Sequence, residues 1–87
     1  MENRITFESM QDTTKKMRVW WQSNGRDTYY YVDSVEEAMV IINVLALKEA
    51  DDDSVYMNVH DLETLEDGEW CTWYDDNGND IDSHFED

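Results

Sequence analysis

Residues 17–32, MRVWWQSNGRDTYYYV, predict a β-hairpin. The dipeptide Asn24-Gly25 favours a two-residue turn in which both residues adopt positive φ. The runs on either side are rich in Val, Trp, Tyr and Thr, which are residues that strands favour. A turn at this dipeptide sets the pairing of the two strands residue by residue, outward from Ser23 opposite Arg26. The stretch therefore predicts two antiparallel strands and their register.

Alternation along the hairpin separates two faces of the predicted sheet. One face is mainly apolar and would form the core: Met17, Val19, Trp21, Thr28, Tyr30 and Val32. The other combines aromatic and polar side chains: Lys16, Arg18, Trp20, Gln22, Asp27, Tyr29 and Tyr31. Aromatic residues and Arg dominate the hot spots of protein interfaces. We therefore predict a partner-binding aromatic face, with a second packing layer as the alternative, formed by Arg18, Trp20, Tyr29 and Tyr31.

A capping box predicts one helix, because Ser34 stands three residues before Glu37 at the start of an apolar-periodic stretch that runs to about Ala50. One stripe of this helix would bury against the sheet, at positions 35, 38, 39, 42, 45 and 46. A second apolar stripe lies on the opposite side and needs a cover: Val40, Ile41, Val44 and Leu47. Either the C-terminal segment covers it, or the helix contacts a partner. The residues predicted for a dimer contact are Val40, Val44 and Leu47.

Four further segments complete the predicted fold. Residues 4–10, 55–60 and 69–74 alternate or are rich in strand-forming residues, and Ile81 with its neighbours suggests a short return strand. Asp67-Gly68 and Asn77-Gly78 predict two more hairpin turns. The prediction is a single α+β domain over residues 1–87. It consists of an antiparallel sheet of five or six strands with one helix packed on one face, in the order β-β-β-α-β-β.

Length and charge exclude several classes of protein. The chain has 87 residues, with 22 acidic and 6 basic side chains and a net charge of -16. So short a chain forms one small core, and so negative a chain is repelled by phosphate backbones and anionic membranes. The first ten residues, MENRITFESM, contain no apolar signal region, and one cysteine forms no internal disulfide. We expect a cytoplasmic protein that does not bind nucleic acid or membranes directly.

The acidity is concentrated in the C-terminal part of the chain. Residues 1–50 contain 8 acidic and 6 basic residues, whereas residues 51–87 contain 14 acidic residues and no basic one. The acidic part also contains Tyr56, Trp70, Trp73, Tyr74 and Phe85, so it is expected to fold rather than to form a disordered tail. This distribution predicts a structured anionic surface.

Several acids recur at even offsets in this part. In an extended strand, residues two apart point the same way and lie about 6.6 to 6.8 Å apart, which resembles the spacing of phosphates along a nucleic-acid strand. A row of such carboxylates would fit a basic groove built for DNA or RNA. The alternative is a solvated face that serves only solubility. The residues predicted for this acidic binding face are Asp61, Glu63, Asp67, Glu69, Asp75, Asp76, Asp80 and Asp82.

No catalytic or metal motif is present. His60, Cys71 and His84 lack the spacing of a zinc site. The Asp-rich stretch from Asp75 to Asp80 fails the EF-hand register, because a Gly78 at the sixth position would place Trp73 at the first ligand position. No nucleophile motif, phosphate loop or dinucleotide fingerprint occurs. We therefore expect a protein that is not an enzyme and takes no metal or cofactor.

Three stretches carry a resemblance to a known group: MRVWWQSNGRDTYYYV, SVEEAMVIINVLALKEA and EWCTWYDDNGNDID. With its aromatic hairpin, short capped helix and acidic C-terminal stretch, the chain resembles over its whole length the small acidic orphan proteins of tailed phages, particularly those that infect cyanobacteria. The resemblance implies an accessory role in the cytoplasm of an infected bacterium, where such proteins bind and block host machinery. It implies no roles for particular residues.

Two functional hypotheses follow. In the first, the chain is a non-enzymatic acidic protein that engages or inhibits a basic, nucleic-acid-handling host protein, with nucleic-acid mimicry as one form of this activity. In the second, it is a homodimeric structural or assembly module that pairs through the apolar helix face, and its acidity serves only solubility.

Overall fold

The turn at Asn24-Gly25 forms as predicted, with φ of 51° at Asn24 and 84° at Gly25. It joins strand β1 (Met17–Ser23) to strand β2 (Arg26–Val32). The predicted register is confirmed along the whole hairpin, outward from Ser23 opposite Arg26.

A computed structural model describes residues 7–55 and 57–85 of the chain. Besides the hairpin, the elements are helix α1 (Phe7–Met10), helix α2 (Val35–Ala50), strand β3 (Asn58–Glu66), strand β4 (Glu69–Thr72) and a 3₁₀ helix (Ile81–Phe85). The strands form one antiparallel sheet in the order β2-β1-β3-β4. The fold is therefore α+β, with one main helix.

Helix α2 begins as the capping box predicts. The Ser34 hydroxyl accepts a hydrogen bond from the Glu37 backbone N–H at 3.1 Å. The Glu37 carboxylate in turn accepts one from the backbone N–H of Asp33, also at 3.1 Å. The first bond satisfies a backbone donor that the first turn of a helix leaves without a partner. The second differs by one residue from the reciprocal bond of a standard capping box, which would come from the N–H of the N-cap residue, Ser34. The predicted end at Ala50 is also confirmed.

The core lies between the sheet and α2. Its buried residues are Val19, Trp21, Val32, Ala38, Ile41, Ile42, Leu62 and Ile81. The predicted helix stripe is largely confirmed, but Ile41 is buried and Ala46 is exposed, which is the reverse of the prediction. Ile41 is buried because it lines a groove together with Met10 of α1 and Tyr30 of β2.

The prediction of five or six strands is wrong for the described residues. Residues 7–10 form a helix, and residues 4–6 lie outside the described ranges. The predicted strand over 55–60 begins only at Asn58 and continues to Glu66. Ile81 starts a 3₁₀ helix instead of a return strand, so the turn at Asn77-Gly78 does not join two strands.

The Asp75 carboxylate explains why the chain leaves the sheet after β4. One of its oxygens accepts hydrogen bonds from the backbone N–H groups of Asn77 and Asn79, at 2.8 and 2.9 Å. The other lies 2.9 Å from His84 Nε2. These bonds close a loop that directs Ile81 into the core. The bond from Asn79, followed by those from Asn77 and His84, outweighs the effect of desolvation and lowers the pKa of Asp75.

We predict that Asp75→Ala lowers the urea midpoint of unfolding at neutral pH. A carboxylate whose pKa is lower in the folded state stabilises the fold above its unfolded pKa, and this contribution disappears as the pH falls through the folded value. The difference from wild type should therefore shrink in acid. Asp76→Ala is the matched control, since the neighbouring Asp76 is exposed and accepts no hydrogen bond from a described residue. A difference that is unchanged in acid would contradict the prediction.

Helix lengths bear on membrane insertion. Neither α2, with 16 residues, nor the shorter helices of the described ranges combine the length and hydropathy that a membrane-spanning helix requires.

Candidate binding face of the sheet

The sheet has one face that the core does not use, and we call it the outer face. The buried residues of the strands, among them Val19, Trp21 and Leu62, point to the opposite side. The strand registers therefore place a second set of side chains together. The outer face consists of Arg18, Trp20, Gln22, Asp27, Tyr29, Tyr31, Val59, Asp61, Glu63, Leu65, Trp70 and Thr72.

Arg18 lies at the centre of an aromatic cluster on this face. Its guanidinium carbon is 4.1 Å from the ring centroid of Tyr29 and 4.1 Å from that of Trp70. Tyr31 meets Trp70 edge to face, with the ring centroids 6.1 Å apart. A cation over an aromatic face is attracted by the ring quadrupole. The cluster therefore brings three aromatic rings around one positive charge.

An ion pair fixes the orientation of Arg18. Its Nε donates to the Glu63 carboxylate at 2.7 Å, and its Nη1 makes a long contact of 3.5 Å with the Tyr31 hydroxyl. The two charged side chains are only 16% and 22% exposed. Burial by itself would lower the pKa of Arg18, but the bonds to Glu63 and Tyr31 outweigh it and raise that pKa. The arginine is thus charged and held in place.

Asp61 is the half-buried acid of this face that has no cationic partner among the described residues. It stands directly beside Trp20 in the register and accepts a hydrogen bond from the Thr72 hydroxyl at 2.7 Å. Burial raises its pKa, and the nearby charges of Glu63 and Asp80 act in the same direction. The hydrogen bonds only partly offset this. A cation placed beside Asp61 would relieve the cost of its burial.

The predicted aromatic residues lie together, and two further residues join them. Arg18, Trp20, Tyr29 and Tyr31 are all on the outer face, as the alternation predicts. The sequence does not predict Trp70 in this cluster, and it predicts Glu63 for the acidic binding face instead. Their places follow from the pairing of β1 with β3 and of β3 with β4. The turn signal at Asp67-Gly68 could have predicted the second pairing but not the first.

The predicted row of evenly spaced carboxylates does not form. The chain reverses at Asp67, which has a φ of 52°, and Glu69 then pairs with Glu66 on the face opposite to Asp61. The remaining acids are dispersed and several have partners inside the chain: Glu63 binds Arg18, Asp75 closes its loop, Asp80 accepts from Ser83, Asp82 pairs with His60, and Asp76 is exposed.

The predicted dimer residues are exposed. The exposed fractions of Val40, Val44 and Leu47 are 52%, 58% and 69%. The 3₁₀ helix of the C-terminal segment contacts α2 but leaves these three side chains uncovered.

The two histidines and the cysteine each have structural surroundings of their own. His60 stacks on Trp21 with 5.4 Å between the ring centroids, and its Nε2 is 2.6 Å from the Asp82 carboxylate. His84 pairs with Asp75. Partial burial, together with the neighbouring acids, raises the pKa of Cys71. Within the described ranges, no three His, Cys, Asp or Glu residues are arranged to hold a metal ion.

Comparison with known proteins identifies no relative: no family model, curated protein or solved structure matches the chain. The resemblance to phage proteins therefore stays a prediction, and the proposals below rest on the geometry of the chain itself.

Proposed function

We propose that the chain is a non-enzymatic acidic binding protein whose outer face engages a basic surface of another protein. The observation that carries this proposal is the Arg18 cluster beside Asp61. Aromatic residues and Arg concentrate binding energy at interfaces, especially where they are already fixed before the partner arrives. Asp61 is half-buried and has no cation beside it in the part of the chain that the structure describes, so it supplies a position for a Lys or Arg of the partner.

Charge complementarity supports a basic partner. The net charge is -16, and residues 51–87, which include both β3 and β4, contain no basic residue. A field of this sign accelerates encounter with a positive surface. Asp27 and Asp61 lie on the same face as the aromatic cluster, and Asp80 is near Asp61. Central aromatic and Arg residues beside a polar rim are typical of protein interfaces.

The class of partner follows from the same chemistry. Surfaces rich in Lys and Arg are typical of proteins that bind nucleic acids, because those residues neutralise phosphates. We propose a nucleic-acid-handling protein of a bacterial host as the partner, in keeping with the phage resemblance. Occupying its basic surface would exclude the nucleic acid. The proposal needs no mimicry of a phosphate row, since the carboxylates do not lie in one row.

An arginine-rich peptide provides a direct test by NMR chemical-shift mapping on the full chain. We expect shifts centred on the outer face, and a peptide with Gln in place of Arg should cause none. Asp61→Asn and Trp70→Ala should each weaken binding by about tenfold. Binding should also weaken as salt is added.

Asp76→Asn is the matched control, because it removes the same single charge from an exposed loop position. It should change affinity by less than about twofold, as expected for an exposed charge. Equal losses of affinity for Asp61→Asn and Asp76→Asn would show that binding depends on net charge alone and would contradict the proposed site.

A further inference from the structure

One ridge of α2 combines an apolar centre with opposite charges at its two ends. Glu36, Val40, Val44 and Lys48 are spaced by four residues and all are exposed. Residues four apart lie along one row of a helix surface. We call this row the α2 ridge. Among the described residues, neither Glu36 nor Lys48 forms an ion pair.

The centre of the ridge is also unusual, because it is uncharged. Residues 38–47 contain no charged side chain, although the chain as a whole contains 22 acids. A basic protein would therefore find nothing to pair with along the centre of this helix. Isolated surface apolar residues are common, but a contiguous exposed patch indicates an interaction site.

The ridge is complementary to itself when it is reversed. Its midpoint lies between Val40 and Val44, so an antiparallel copy would place Glu36 against Lys48 of the second copy. Val40 would meet Val44 of the second copy in the same arrangement. A two-fold axis makes every such contact twice, which is the usual geometry of a homodimer. Packing of i±4 ridges is also the commonest class of helix packing.

An apolar groove runs beside the ridge and would be covered by the same pairing. It has a volume of about 260 Å³ and is lined by Met10, Tyr30, Val40, Ile41, Val44 and Leu45. This exceeds the volume of about 150 Å³ that accommodates a benzene ring in an engineered cavity. Val44 of the second copy would lie over the groove. Leu47, on the other flank of the ridge, would pack beside Val40 of the second copy.

We propose that the chain forms a homodimer in which α2 pairs with α2 of a second copy, antiparallel about a two-fold axis between Val40 and Val44. The helix lies on the core side of the sheet, so each copy keeps its outer face free. The dimer would therefore present two outer faces. Two linked sites can give avidity toward a repeated or extended partner. The dimer does not depend on the proposed function, and either can fail without the other.

Sedimentation equilibrium of the full chain tests the dimer. We expect a reversible monomer–dimer equilibrium in the wild type and a dissociation constant at least about tenfold higher for Val44→Glu. Val44 is 58% exposed, so the variant should keep its fold, which circular dichroism would verify. Ala46→Glu is the matched control: Ala46 is exposed on another side of the same helix and receives the same charge. It should leave association within about twofold of wild type.

Charge exchange tests the antiparallel arrangement. Glu36→Lys and Lys48→Glu should each weaken the dimer. Each change places like charges opposite one another in both of the symmetry-related pairs across the axis. The double variant should restore association, since the pairs re-form with reversed signs. Both changes oppose the helix dipole and lower monomer stability, so association is compared where every variant is folded. A wild-type chain that stays monomeric overturns the proposal. Failure of the double variant to recover overturns the antiparallel pairing.

Discussion

Leu62→Ala is expected to lower the free energy of unfolding by about 3 to 5 kcal/mol, the range for truncation of a fully buried leucine. Leu62 is completely buried in β3, opposite Val19 of β1, and it is one of the largest fully buried side chains among the described residues. The loss combines the transfer of the missing atoms with the cavity that they leave. Small domains have a total stability of about 5 to 15 kcal/mol, so much of this protein should then unfold on mild warming. Urea titration followed by tryptophan fluorescence measures the change.

Leu65→Ala is the matched control for this prediction. Leu65 is in the same strand, but it belongs to the outer face and is only partly buried. The same atoms are removed there without opening a closed cavity, so the expected loss is about 1 kcal/mol. Similar losses at both positions would mean that the sheet does not bury the face assigned to the core.

Glu49→Ala should cost about 2 to 3 kcal/mol of stability, although Glu49 is a polar residue at the end of a helix. Its carboxylate accepts hydrogen bonds from the Trp21 indole N–H at 3.0 Å, the Ser23 hydroxyl at 3.2 Å and the Asn58 amide at 3.2 Å. These bonds connect the last turn of α2 to β1 and β3. The variant would leave the indole N–H of buried Trp21 without an acceptor, and hydrogen bonds to charged groups are worth about 1.5 to 3 kcal/mol.

The control for Glu49 lies just beyond the same end of the helix. Asp53→Ala removes an equal charge from an exposed side chain, and it should change stability by about 0.5 kcal/mol or less. Reduced repulsion in so acidic a chain affects both variants alike, so the comparison isolates the three hydrogen bonds. The expected difference appears as a lower urea midpoint for Glu49→Ala. If both variants unfold at one midpoint, the carboxylate does not hold the helix to the sheet.

Local signals explain which parts of the fold could be predicted from the sequence. The turn at Asn24-Gly25 and the cap formed by Ser34 and Glu37 each depend on residues within a few positions of one another. The backbone conformations of the turn and of the cap can therefore be predicted directly from the sequence. The register of the hairpin followed from the turn, because alternation allows only one arrangement that places the apolar side chains on one face.

Pairings between distant segments explain what could not be predicted. β1 pairs with β3 across the whole of β2 and α2, and no local residue pattern specifies that partner. The strand predicted over residues 4–10 ends in Phe7–Met10, which form a short helix, because so short a run of residues fits either structure. The 3₁₀ helix depends on Asp75 and His84, whose contacts form only once the loop has closed.

The candidate binding face also combines features that the sequence predicts with features that it does not predict. Alternation was sufficient to place Arg18, Trp20 and Tyr29 on one face. The ion pair of Arg18 with Glu63 joins residues 45 positions apart, and Trp70 reaches the cluster from β4. The carboxylate row failed because even spacing predicts a common direction only while the strand continues, and the turn at Asp67 ends it.

The strand order β2-β1-β3-β4 leaves an unpaired edge on each side of the described sheet. Such edges present free N–H and C=O groups and are templates for pairing with further chains, which is how fibrils grow. β4 has only four residues, and α1 lies against β2. The local charge adds a second protection at the β4 edge, because residues 51–87, which include that strand, contain 14 acidic residues and no basic one. Acidity can thus keep an open sheet dispersed, while the uncharged centre of the α2 ridge remains a place where two copies can meet.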